Sequence, residues 1–151
     1  MKFCYWDSCV FLGWLRKESD KIQECEAAIR QAESGKLTLV TSTLSLAEVL
    51  RLKGKDPIPQ ADREQVRDFF EKDYIALYDV DRLIAEAAQD LVWDHDVHPK
   101  DAIHVATALN LGNSIAIEQF DTFDGGLIAL SESVGNPPLT IGRPNLPQRL
   151  F

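Results

Sequence analysis

Four acidic residues stand where this chain could gather them at one point. Asp7 follows the apolar run at 3–6, and Glu48 lies within Ser-Leu-Ala-Glu-Val-Leu at 45–50. Asp101 opens Asp-Ala-Ile-His-Val-Ala-Thr-Ala at 101–108, and Asp124 closes Asp-Thr-Phe-Asp at 121–124. If they converge, their charges oppose one another. Two carboxylates about 4 Å apart repel by roughly 4 kcal/mol at an effective dielectric near 20. Raised pKa values or a bound cation relieve that repulsion. An all-oxygen set suits a hard cation, Mg²⁺ or Mn²⁺, and such a centre points to phosphoryl-transfer chemistry.

The elements that would position these acids follow from hydrophobic periodicity. A short aromatic strand at 2–6 is followed by a helix from Ser8 with Val10, Phe11, Trp14 and Leu15 at helical spacing. A second helix carries Ile22, Cys25, Ile29 and Ala32 on one face and ends at Gly35. The β-branched run at 37–41 reads as a second strand, and Ser42 or Thr43 caps a helix reaching about Lys53. After the Gly/Pro loop at 54–59 come a helix at 61–72, a strand at 74–80 and a helix capped by Asp81. A polar loop at 94–99 leads to a helix at 101–111, a fourth strand at 114–117 and a short fifth at 139–141. Strands separated by one or two helices imply a three-layer α/β/α domain with a mostly parallel sheet of about five strands. In such sheets ligands bind beyond the carboxyl ends of the strands, which is where Asp7, Glu48 and Asp124 fall.

The 151 residues are expected to form a single domain (1–151), with an extended surface tail at 142–151 that carries Pro144 and Pro147. No stretch approaches the ~20 apolar residues of a membrane span, and no secretory signal is visible, so a cytoplasmic location is expected. Cys4, Cys9 and Cys25 match no zinc spacing and read as reduced thiols. The net charge of −8 argues against a general, tight nucleic-acid binder and suits a basic protein partner at least as well. Arg51, Lys53 and Lys55 follow Glu48 and either track an RNA backbone or form a solvated face. His104 shares a helix face with Asp101, one turn on, and reads either as a packed histidine or as a donor or proton relay behind the acids. Asp94, His95, Asp96 and His98 read as a solvated turn, and Trp6 as buried.

Asp7-Ser8, the segment at 45–50, the segment at 101–108 and Thr-Phe-Asp at 122–124 together resemble a PIN-domain ribonuclease, with single-domain toxins of the VapC type the nearest match. The resemblance runs from residue 2 to about 141. It implies a Mg²⁺- or Mn²⁺-dependent endoribonuclease with Asp7, Glu48, Asp101 and Asp124 as both catalytic and metal-holding residues, activating water for attack on the phosphodiester. Ser8 and Thr122 match the family's hydroxyl positions beside the site. Thr-x-Asp is the family arrangement, which favours Asp124 as the fourth acid, with Asp121 as an assistant or a turn residue. The resemblance further implies an RNA substrate, a small antitoxin partner and a homodimer. An RNA-processing nuclease without a toxin role, a non-catalytic module of the same fold and a receiver-type phosphoacceptor domain are the alternatives. The last lacks the lysine it needs after the final strand, where Gly142-Arg143-Pro144 stands.

Overall fold

The computed structural model describes residues 1–144. A central strand β1 (Lys2–Trp6) leads into helix α1 (Ser8–Leu15) and then α2 (Ile22–Glu33). Strand β2 (Leu37–Ser42) is followed by the short α3 (Leu44–Glu48), a 3-10 turn (Gln60–Asp62) and α4 (Arg63–Phe70). Strand β3 (Ile75–Tyr78) feeds a long helical hairpin, α5 (Arg82–His95) and α6 (Pro99–Leu111). Strand β4 (Ile117–Asp121), the four-residue α7 (Gly125–Ile128) and β5 (Ile141–Gly142) complete the domain. The five strands lie in the order β3-β2-β1-β4-β5, and every pairing is parallel.

Side-chain alternation along β1 divides the interior into two cores. Cys4 and Trp6 join Phe11, Leu12, Cys25, Phe69 and Phe70 on the face covered by α1, α2 and α4. Tyr5 and Phe120 join Ile84, Leu91, Ala102 and Val105 on the opposite face, under α5 and α6. On the first face Phe11 gathers Trp6, Phe69 and Phe70 with ring centroids 5.0–6.0 Å apart, the spacing of favourable tilted aromatic contacts. On the second, Ala102, Ala106 and Ala108 keep α6 close to the sheet, which brings its first turn over the strand ends.

Several boundaries differ from those the sequence suggests. Helix α3 ends at Glu48 rather than near Lys53, because the chain tightens at once: Leu50 and Arg51 donate to Ala47 and Glu48 in i to i+3 bonds. The Leu50 carbonyl is then taken by the Ile58 N–H at 3.0 Å, folding the loop back. The fourth strand lies at Ile117–Asp121 instead of 114–117. Its polar residues fit a central strand because they satisfy one another and the core: the Gln119 amide donates to Asp121 Oδ1 and the Trp6 indole to Asp121 Oδ2, both at 2.9 Å. The register slips between Phe3 and Cys4, so Glu118 is a bulge residue. His95 belongs to α5 and Pro99 to α6, which shortens the expected loop at 94–99 to a left-handed turn at Asp96 (φ 54°) and its neighbours. The fifth strand is Ile141–Gly142, so Gly142 pairs with β4 instead of starting the expected tail. Residues 145–151, which carry the rest of that tail, lie outside the described residues.

Candidate active site

The carboxyl ends of β1, β2 and β4 open on a crevice roofed by the first turn of α6. Asp7 is the first residue beyond β1, and its side chain caps α1 by accepting the Val10 N–H. Its Oδ1 also accepts the Cys9 thiol at 3.0 Å, and its Oδ2 accepts the Thr122 hydroxyl at 2.5 Å. The carboxyl is almost fully buried. That burial pushes its pKa up, against nearby His104 and these three donors, which pull it down. The Thr122 oxygen in turn accepts the Asp124 N–H at 3.1 Å, so one hydroxyl ties the acid after β1 to the loop after β4.

Glu48 faces the crevice from the end of α3. Its Oε1 lies 2.8 Å from His104 Nε2 and accepts the Ser8 hydroxyl in a very short hydrogen bond. Burial disfavours its charge. The hydrogen bonds from His104 and Ser8, with the nearby Lys100, outweigh that, and hold the carboxyl below the usual range. Ser8 also stands 3.4 Å from Ser45 and 3.3 Å from His104.

Asp101 is different in kind. Among the described residues its carboxylate has neither a hydrogen-bond partner nor an ion pair. Partial burial, followed by the charges of Asp124, Asp7 and Glu48, pushes its pKa up to about 6, with His104 acting the other way. The other three acids therefore lie within electrostatic reach of Asp101. Asp124 is exposed and caps the short α7 through the Gly126 N–H at 2.9 Å. Asp121 is wholly buried and held on the Trp6 side of the sheet. The two acids separated by a single turn therefore serve different surroundings.

His104 is buried, as a packed histidine would be, yet it bonds into the acidic cluster. Lys55 is drawn off to Glu18, 2.7 Å away, while Arg51 and Lys53 lie near it in the exposed loop after Glu48. Three participants escape a reading of the sequence: Cys9 on Asp7, Ser45 beside Ser8, and Tyr5, whose hydroxyl is 2.7 Å from His104 Nδ1. The signal for Tyr5 is physical. A tyrosine in a buried strand must find a partner for its hydroxyl.

The donor set is all oxygen, with no buried thiolate or closed histidine cluster, and it fits Mg²⁺ or Mn²⁺. Among the described residues no group of three or more His, Cys, Asp or Glu side chains is placed to hold a metal ion. Mg²⁺ retains several waters and commonly takes only one or two carboxylates. Hollows of about 700 Å³ beside α4 and about 520 Å³ between α5, α6 and the 135–140 segment contain none of these acids. Among the described residues no helix is long and apolar enough to cross a membrane.

A parallel α/β sheet with acids collected at its carboxyl edge defines a class of proteins that work at that edge. Within that class the chain belongs to the PIN domain family, whose model matches residues 4–131. PIN domains are generally nucleases that use divalent metals. A toxin–antitoxin complex from Klebsiella pneumoniae is similar in structure, with a TM-score of 0.54 and 16% identity over 94% of this chain and 98% of that one. At that identity the likeness shows the fold. No curated protein matches the chain.

Proposed function

We propose that this protein is a metal-dependent endoribonuclease and the toxin of a toxin–antitoxin pair. The observation that carries the reading is the unpartnered Asp101 carboxylate, which faces three further acids at the carboxyl edge of the sheet. Nothing in the folding of the chain requires that arrangement, and it costs stability until a cation is bound. Asp7, Glu48, Asp101 and Asp124 would hold Mg²⁺ or Mn²⁺, which supplies Lewis-acid activation of water and neutralises charge on the scissile phosphate. Thr122 and Cys9 orient the two oxygens of Asp7, and Ser8 and His104 orient Glu48. Arg51 and Lys53 stand near enough to Glu48 in the chain to meet the RNA backbone. Asp121 steadies β4 and the Trp6 ring rather than holding metal.

The partner reading rests on the net charge of −8, the acidic crevice and the likeness to a structure described as a toxin–antitoxin complex. A small antitoxin presenting a basic side chain to the crevice fits that chemistry, and a homodimer and a cytoplasmic location are part of the same reading. Finding a short open reading frame immediately upstream of the gene would favour the toxin role over general RNA processing.

The test uses purified, partner-free protein with structured and single-stranded RNA, in Mg²⁺, in Mn²⁺ and in EDTA. Cleavage that requires metal and vanishes in Asp101→Asn is expected. Failure of the wild-type protein to bind either metal overturns the reading in favour of a non-catalytic module.

A further inference from the structure

We propose that Tyr5 and His104 are positioning residues that hold the Glu48 carboxylate ready for a cation, through a buried chain of hydrogen bonds anchored on the Ser42 backbone. This rests on the metal-site reading above and adds to it residues on β1 and β2 that touch no substrate. The argument begins at the 2.8 Å contact between His104 Nε2 and Glu48 Oε1. An ionised carboxylate offers only acceptors, so the nitrogen facing it must carry a proton. In the neutral ring the other nitrogen, Nδ1, is an acceptor, and the Tyr5 hydroxyl stands 2.7 Å from it. The Tyr5 oxygen in turn accepts the Ser42 N–H at 3.1 Å. Each donor therefore points the same way: Ser42 to Tyr5, Tyr5 to His104, His104 to Glu48. Burial holds the phenol far above its ordinary pKa, which keeps the Tyr5 proton in place to donate.

The geometry of the chain is fixed from several sides. The Tyr5 ring stacks on Phe120 at 4.8 Å and meets the His104 ring edge-on at 5.8 Å. Tyr5 is 0% and His104 1% exposed, so water does not compete for these bonds. Ser42 also accepts the Leu44 N–H on its hydroxyl at 3.1 Å, at the start of the helix that carries Glu48. One residue at the end of β2 thus anchors both the relay and the helix, and the Glu48 position is set by the sheet rather than by a loop. Outer partners of this type orient ligands, and their loss commonly weakens metal binding by about 10–100-fold.

The test pairs ¹⁵N-histidine NMR of the metal-free protein with Mn²⁺ binding followed by electron paramagnetic resonance. In the wild type the proton should sit on His104 Nε2, exchange slowly with solvent and shift in Glu48→Gln. Tyr5→Phe preserves the ring stack and should speed that exchange and weaken Mn²⁺ binding about 10-fold. His104→Leu should weaken it further, whereas His104→Gln, which keeps an N–H donor of similar reach, should restore much of the affinity. A proton found on Nδ1, or Tyr5→Phe binding Mn²⁺ as tightly as wild type, overturns the relay. If wild type binds no Mn²⁺, the metal reading alone falls, and the ring proton decides the relay: unchanged exchange in Tyr5→Phe overturns it.

Discussion

Asp7 lies just beyond β1 and Glu48 at the end of α3, and burial opposes the charge of each, yet their acidities move in opposite directions. Around Asp7 the partners are a threonine hydroxyl, a weakly donating thiol and a backbone amide, and burial wins. Around Glu48 a serine hydroxyl and an imidazole converge on a single oxygen, and the partners win. Asp7 is the deeper of the two, and Glu48 is only partly buried. Depth and donors therefore act together, and the direct hydrogen bond from His104 serves Glu48 alone. Asp101 marks the limit of the series, with no donor of its own and three like charges in view.

The largest expected effect comes from removing that limit. Asp101→Asn should abolish metal-dependent RNA cleavage while raising the thermal stability of the metal-free protein. The pKa of about 6 against the ordinary 3.8 corresponds, after discounting for a partly exposed group, to roughly 1–2 kcal/mol. Loss of stability in that variant would break the repulsion argument.

Next comes the contrast across the turn after β4. Asp124→Asn should reduce cleavage strongly with little change in melting temperature. Asp121→Asn should retain cleavage and lose about 1–2 kcal/mol, because the Gln119 amide then meets a donor in place of an acceptor. Equal losses of cleavage in both variants would put Asp121 back among the metal ligands.

The comparison between the two acids is sharpened by neutralising each in turn. Glu48→Gln should destabilise the metal-free protein by about 2 kcal/mol, since it withdraws the charge that His104 and Ser8 serve. Asp7→Asn should cost less or stabilise, since a buried charge that its surroundings disfavour is removed. Calorimetry on both variants decides, and a loss in Asp7→Asn as large as that in Glu48→Gln would remove the distinction.

The smallest effect is the pH dependence. A carboxyl whose folded pKa is raised destabilises the fold when ionised, so the Asp101 penalty is relieved as pH falls through about 6. Glu48, with a depressed pKa, contributes stability above its unfolded value of 4.5, and that contribution is lost as pH falls below it. Metal-free protein should therefore melt at a slightly higher temperature near pH 5.5 than at pH 7.5. Saturating Mg²⁺ should reverse the order by stabilising the ionised acids at the higher pH.

What was readable without coordinates was whatever depends on local order along the chain. Alternating strands and amphipathic helices state an α/β domain, and the strand β1 and helix α2 fall close to where periodicity puts them. Asp7, Glu48, Asp101 and Asp124 were legible because each sits in a short segment of recognisable pattern. Strand β4 was not, because Glu118, Gln119 and Asp121 look like loop residues until Trp6 and a bulge accommodate them. Helix α3 was overextended, because a distant amide, Ile58 N–H, captures the carbonyl that would have continued it.

Chain order thus determined the class of fold and singled out four acids as candidates. Packing alone decided that Asp121 is buried against Trp6 while Asp124 caps α7, and that Tyr5 stands behind His104, 99 residues away. Those outcomes depend on which side chains meet across the sheet. Hydrogen bonds between residues far apart in the chain leave no periodic trace in it, because neither partner's type reveals the other until the strands are in register.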